Sequence, residues 1–261
     1  MNRNLRDILL LGATAVSIGA ALVAMTVRKP APENFTPRQE KEIGQIVRSY
    51  LMEHPDILID MSRKLEKQKR AREAEAAAAG LAQNKDKIYH AKGDLIAGNP
   101  EGKVAMVEFF DYNCGFCKRA LPDVLKLQDT NKDLKVIIKE FPILGPGSME
   151  AARYAIASRK QGMDKYWAFH VAMMKHKGQV NGKVALALAE KTGLDVDKLK
   201  EDARSKEVDE IINRNMELAT KLNINGTPAF IIGDDIIPGA LGYKVLNGII
   251  AKVRKDGCKH C

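Results

Sequence analysis

A chain of 261 residues exceeds a usual single domain yet carries one clear core pattern, so one principal domain with attachments is expected. A formal net charge of +9 invites a nucleic-acid reading, but the 42 Lys and Arg are interleaved with 33 Asp and Glu, and no stacking motif accompanies them, which argues against that class. With 45% apolar residues the core needs no disulfide staples, so the four cysteines are free to carry chemistry.

Residues 1–29 open with Arg3 and Arg6, followed by Ile8, Leu9, Leu10, Leu11 and an apolar stretch running to Val27. About twenty apolar residues suffice to span a bilayer, and the small residues Gly19, Ala20 and Ala21 equally suit a cleavable signal peptide. Residues 8–27 are therefore either a membrane anchor or a removed signal. Arg28 and Lys29 put positive charge on the far side too, so charge asymmetry decides little.

Pro30-Ala31-Pro32 marks a linker, and residues 30–80 read as a separate helical arm. Ile43, Ile46, Val47, Tyr50 and Leu51 form an apolar stripe before Pro55, and Ile57, Leu58, Met61 and Leu65 form another after it. A charged, Ala-rich helix continues over residues 64–79. Such an arm cannot bury its stripe alone, so it either docks on the rest of its own chain or associates with copies of itself.

The principal domain is expected over residues 81–257. An apolar strand at 104–110 runs directly into Asp111-Tyr112-Asn113-Cys114-Gly115-Phe116-Cys117, a Cys-x-x-Cys pair at a strand-to-helix junction. Two intervening residues let both sulfurs meet, while the helix N-terminus offers unpaired amides and partial positive charge to the first thiolate. Cys114 is then the exposed nucleophile and Cys117 the resolver. Half of a zinc site is the competing reading, with only Cys258, His260 and Cys261 to complete it. Pro122 falls five residues after Cys117, where it kinks the helix rather than ending it. A second strand is predicted at 134–141.

Residues 148–222 read as a helical insertion. Its aromatics Tyr154, Tyr166, Trp167 and Phe169, with Met163, Met173 and Met174, are core filler by default, and His170 and His176 lack a metal-spaced partner. Gly226-Thr227-Pro228 then opens an apolar strand, followed by a hairpin at 233–235, a short strand at 236–238 and a helix over 243–255. Residues 258–261, Cys258-Lys259-His260-Cys261, leave three readings: a local disulfide, a soft copper or zinc site built from Cys258, His260 and Cys261, or a relay dithiol.

Glu108, Cys114, Cys117 and Thr227-Pro228 together make residues 85–257 resemble the DsbA-like thiol-disulfide oxidoreductases, and the arm makes the suppressor-of-copper-sensitivity C proteins the nearest likeness. The resemblance implies an α/β thioredoxin fold with an inserted helical domain, preceded by a helical N-terminal oligomerisation arm. It implies that Glu108 is buried with a raised pKa and shuttles the proton of Cys117. It implies a cis Pro228 facing the cysteines, with the backbone of Thr227 holding an extended substrate strand. DsbA itself carries Pro-His between its cysteines, and Gly115-Phe116 lacks that imidazole. With Thr227 before the proline this resembles the isomerase type and leans toward reducing or reshuffling wrong disulfides.

The expected activity is periplasmic exchange without a bound cofactor. The expected partners are cysteine-containing unfolded or misfolded exported proteins, a membrane redox partner and further copies of the chain, as trimer or dimer, with no nucleic acid. The alternatives are a copper-binding, copper-tolerance protein of the envelope and a monomeric dithiol oxidase.

Overall fold

The computed structural model describes residues 35–259 and 261. The expected signal or anchor at 1–29 and the candidate ligand His260 lie outside the described residues. No helix among the described residues is long and apolar enough to cross a membrane. The chain divides into two compact units, with the boundary between Lys67 and Gln68.

Helix α1 (Pro37–Glu53) starts where Thr36 accepts from Gln39 N and the Gln39 side chain answers the Thr36 backbone, with Pro37 in the first turn. It stops before Pro55. Helix α2 (Asp56–Tyr89) then runs for 34 residues, so the arm boundary expected at residue 80 falls inside a continuous helix. Ile43, Ile46, Val47, Tyr50, Leu58, Met61 and Leu65 are exposed, whereas Leu81, Ile88 and Tyr89 at the far end of α2 are buried.

Residues 68–261 hold a five-stranded sheet in the order β1-β3-β2-β4-β5. The strands are β1 (Leu95–Gly98), β2 (Val104–Phe110), β3 (Leu134–Glu140), β4 (Ala229–Ile232) and β5 (Asp235–Pro238). β2 and β3 are parallel, and every other pairing is antiparallel. Between β2 and β3 lies α3 (Gly115–Thr130). Between β3 and β4 lie α4 (Pro146–Ser158), α5 (Met163–Lys175), α6 (Gly182–Lys191), α7 (Val196–Asp202) and α8 (Lys206–Lys221), and α9 (Tyr243–Asp256) follows β5. This is the thioredoxin-type α/β fold with a helical insertion. The four-residue strand β1 was not predicted; it pairs antiparallel with β3 at the sheet edge.

Alternation along the central strands divides the core in two. Met106, Phe110, Val136, Ile138, Phe230 and Ile232 join one cluster with the inner face of α3, α4, α5 and α9. Val107, Phe109, Ile137 and Ile231 join the other, with Leu81 and Ile88 of α2 and Leu218 and Leu222 at the end of α8. On the second face the buried Lys139 donates to Asp94 Oδ2 at 2.6 Å and to Lys87 O at 2.8 Å, tying the end of α2 to β3. Cys114 and Cys117, at the start of α3, lie in the first cluster.

Candidate active site

Because Glu108 shares its alternation with Met106 and Phe110, β2 directs it toward the α3 face, where Cys114 and Cys117 belong to the core. Its strand partners are Ile138 and Phe230, so a carboxyl is enclosed by apolar strands on both sides. Burial pushes its pKa up to about 8. Cys117 has no solvent exposure, and burial raises its thiol, with the Glu108 carboxylate adding to the effect. The Asp111 backbone and the Thr227 side chain pull the other way without reversing it. Two acids held protonated side by side, one of them a thiol, form a proton-exchanging pair.

Cys114 is the N-cap of α3 and makes no side-chain cap, so the first-turn amides remain open beside its sulfur. The Thr227–Pro228 peptide is cis, and Cys114 Sγ donates to Thr227 O at 3.1 Å. This loop covers the thiol. The expectation of an exposed Cys114 is thereby corrected: it is 6% exposed, because the cis-proline loop lies over the sulfur. A cleft of about 590 Å³ opens beside the same loop, between Ala76 and Ala77 of α2 and the Ile224 to Pro228 backbone.

Three residues of the motif went unassigned in the sequence. Asp111 is buried, and its carboxylate accepts from Asn113 N at 2.7 Å, Ser148 Oγ at 2.7 Å and Leu144 N at 2.9 Å. Asn113 accepts from Val180 N at 2.6 Å and donates to Val180 O and Ser148 Oγ, both at 3.0 Å. Lys118 donates to His176 O and Gly178 O at 2.8 and 2.7 Å. The Cys114 turn is thus bolted to the helical insertion from three directions. Their partners lie 33 to 67 residues away in sequence, so no local pattern announces them. Asp111→Ala leaves three donors unmet, one of them the buried Ser148 hydroxyl, and is expected to cost about 2–4 kcal/mol in chemical denaturation. A loss below about 1 kcal/mol would show the turn to be held by other means.

Arg119, two residues beyond Cys117, places its guanidinium 4.2 Å from the centre of the exposed Phe116 ring, so the surface beside the cysteines presents an aromatic and a cation. His170 is buried, stacks on Trp167 and meets the Tyr112 hydroxyl through Nδ1 at 3.0 Å. Burial holds its pKa down at about 3, so the imidazole is uncharged at neutral pH. Met173 and Met174 are core residues and Met163 is exposed. Among the described residues no group of three or more His, Cys, Asp or Glu is placed to hold a metal ion. Cys258 and Cys261 are joined by a disulfide.

This arrangement has relatives. The DSBA-like thioredoxin domain family matches residues 105–251, more than half of the chain. The chain belongs to the DsbA-like thioredoxin family. The family described as the copper resistance protein ScsC N-terminal domain matches residues 39–72, across α1 and the first half of α2. Among solved structures, a thioredoxin-like oxidoreductase from Silicibacter pomeroyi DSS-3 is 42% identical, with 65% of this chain and 97% of that one covered and a TM-score of 0.63. Proteus mirabilis ScsC in a transitional conformation is 30% identical over 87% of this chain and all of its own (100%), with a TM-score of 0.64. Salmonella enterica Typhimurium BcfH is 29% identical over 82% and 96%, with a TM-score of 0.71. Among curated proteins, Na(+)/H(+) antiporter NhaA 1 of Salinispora arenicola is 25% identical over 159 residues, and the chain spans 24% of that protein's length. The DsbA-like match thus covers the strands from β2 to β5, the Cys-x-x-Cys helix and the insertion, and the ScsC match covers α1 and the first half of α2.

Proposed function

We propose that this chain is a protein thiol-disulfide oxidoreductase of the periplasm, weighted toward isomerising and reducing wrong disulfides in exported proteins. The observation that carries the reading is Cys114 Sγ at 3.1 Å from Thr227 O of the cis-proline loop, with Cys117 and the proton-holding Glu108 buried behind it. Cys114 attacks a substrate disulfide, forming a mixed disulfide while the substrate strand lies along Thr227. Two outcomes follow. Another substrate thiol attacks and leaves a rearranged bond, or Cys117 passes its proton to the ionised form of Glu108 and expels the substrate reduced. The basic start and apolar run of residues 3–27 support export, and a membrane redox partner is expected to return the active site to its working state.

Scrambled ribonuclease refolding and insulin reduction test this together. The full chain is expected to act in both, and Cys114→Ser in neither; activity no greater than the glutathione background would overturn the reading. Thr227→Val removes the hydroxyl beside Cys117 and is expected to shift the reduction potential and lower the isomerase-to-oxidase ratio. If both stay put, Thr227 does not govern direction.

A second reading, Cu(I) binding by the thiols, is favoured by the copper-resistance description of the family matching the arm. Titrating copper into Cys114→Ser and into the Cys258→Ser/Cys261→Ser variant separates active-site binding from tail binding.

A further inference from the structure

The Cys258–Cys261 disulfide has no part in the reaction above, and its surroundings give it one. The tail is docked: Asp234 Oδ2 accepts from Lys259 N at 2.9 Å, and Asp234 Oδ1 lies 3.7 Å from Cys258 Sγ. On its other side Cys261 Sγ lies 3.6 Å from the Tyr89 hydroxyl, which donates to Gly233 O at 3.1 Å. Both cysteines are partly exposed. A disulfide between residues three apart closes a very short loop and constrains the unfolded chain less than one joining distant segments, so stapling is a weak reason for it. Accessible disulfides are the labile ones that enter exchange.

The two sulfurs differ chemically. A thiolate left on Cys258 faces the anionic Asp234 carboxylate, whereas a thiolate left on Cys261 faces the neutral Tyr89 hydroxyl, whose proton goes to Gly233 O. In exchange the outer sulfurs carry the charge and the attacked one carries least, so Cys258 is the sulfur to be attacked and Cys261 the one to leave. The donor belongs to another copy. β4 separates Pro228 from Gly233 by four residues, so at about 3.3 Å per residue the docked tail sits more than about 10 Å from the Cys114 turn of its own chain.

We propose that Cys258–Cys261 is a second thiol-disulfide exchange site, which accepts the electron pair of the Cys114–Cys117 dithiol of another copy by attack at Cys258. It rests on the exchange reading of Cys114. The transfer starts with the Cys114–Cys117 pair as thiols and the Cys258–Cys261 pair bonded. Cys114 thiolate bonds to Cys258 Sγ as the Cys258–Cys261 bond breaks, and Cys261 leaves as thiolate and takes a proton. Cys117 then loses its proton and attacks Cys114 Sγ, expelling Cys258, which is protonated in turn. The donor gives up two electrons and two protons, the tail gains both, and no outside oxidant enters.

The test uses two full-length variants. The donor is Cys258→Ser/Cys261→Ser with a reduced active site, and the acceptor is Cys114→Ser/Cys117→Ser with an oxidised tail. They are mixed without oxygen, alkylated at intervals and weighed by mass spectrometry, beside donor mixed with oxidised glutathione at equal concentration. The acceptor is expected to gain two alkylations as the donor loses two, at least about tenfold faster than glutathione is reduced, and the reverse mixture to reach the same distribution. Adding Cys117→Ser to the donor is expected to trap a Cys114–Cys258 adduct in peptide mapping. A tail that stays oxidised while glutathione is reduced, or an adduct at Cys261 instead, overturns the proposal. A donor that reduces neither disulfide overturns the exchange reading and this inference with it.

Discussion

Glu108→Gln is expected to slow resolution of the mixed disulfide by about a hundredfold at neutral pH while making the protein more stable in alkali. Both effects have one cause. In the folded chain the carboxyl holds its proton up to about pH 8, against an ordinary value of 4.5 in the unfolded chain. Between those two values the unfolded chain binds fewer protons than the folded one, so stability falls as pH rises through that window and levels off above it. The full penalty is on the order of 5 kcal/mol, and Gln, neutral throughout, escapes it. Urea unfolding at pH 5 and pH 8.5 is expected to show a stability difference between variant and parent that grows with pH, in favour of the variant. A difference that does not change with pH would mean that Glu108 is not holding a proton, and an unchanged exchange rate would remove it from the mechanism.

The readable parts of this molecule were those whose signal is local. The run 104–110 with Cys114 and Cys117 just beyond it, and Gly226-Thr227-Pro228 ahead of an apolar strand, each declare an element junction within a few residues, and the structure brings both junctions to one sulfur at 3.1 Å. Asp111, Asn113 and Lys118 were invisible for the opposite reason: what they do depends on Ser148, Val180 and His176, which only the folded insertion delivers. β1 was missed because four residues, Leu95 to Gly98, give too short an alternation to separate from a loop. The arm boundary expected at residue 80 falls on Gly80, which lies inside α2 where the helix passes over the end of α8; a methyl group there would sit 3.4 Å from Leu222 Cδ2. Its smallness serves close packing, and the helix signal it interrupts runs on to Tyr89.

That packing changes where the arm should be cut. Removing residues 30–80 would strip Ala76 and Ala77 from the cleft beside Thr227 and expose the surface that Leu81 covers. A chain beginning at Gln68 keeps the second compact unit intact. It is expected to be a folded monomer by light scattering and the full chain an oligomer, because the stripe carrying Ile43, Ile46, Val47, Tyr50, Leu58 and Leu65 is exposed and is the large apolar surface lost. The functional consequence follows from geometry. Isomerisation needs a thiolate to re-engage the same misfolded chain after each exchange, and tethered copies hold further Cys114 sites at high effective concentration around it. A single site releases its substrate after one exchange, and as a monomer it is more easily recharged by an oxidising membrane partner. Ribonuclease refolding by the shortened chain is therefore expected to fall at least about tenfold per active site, while simple dithiol oxidation holds or rises. A full-length protein that is already monomeric would refute the assembly, and a shortened one that isomerises equally well would refute the link between assembly and direction.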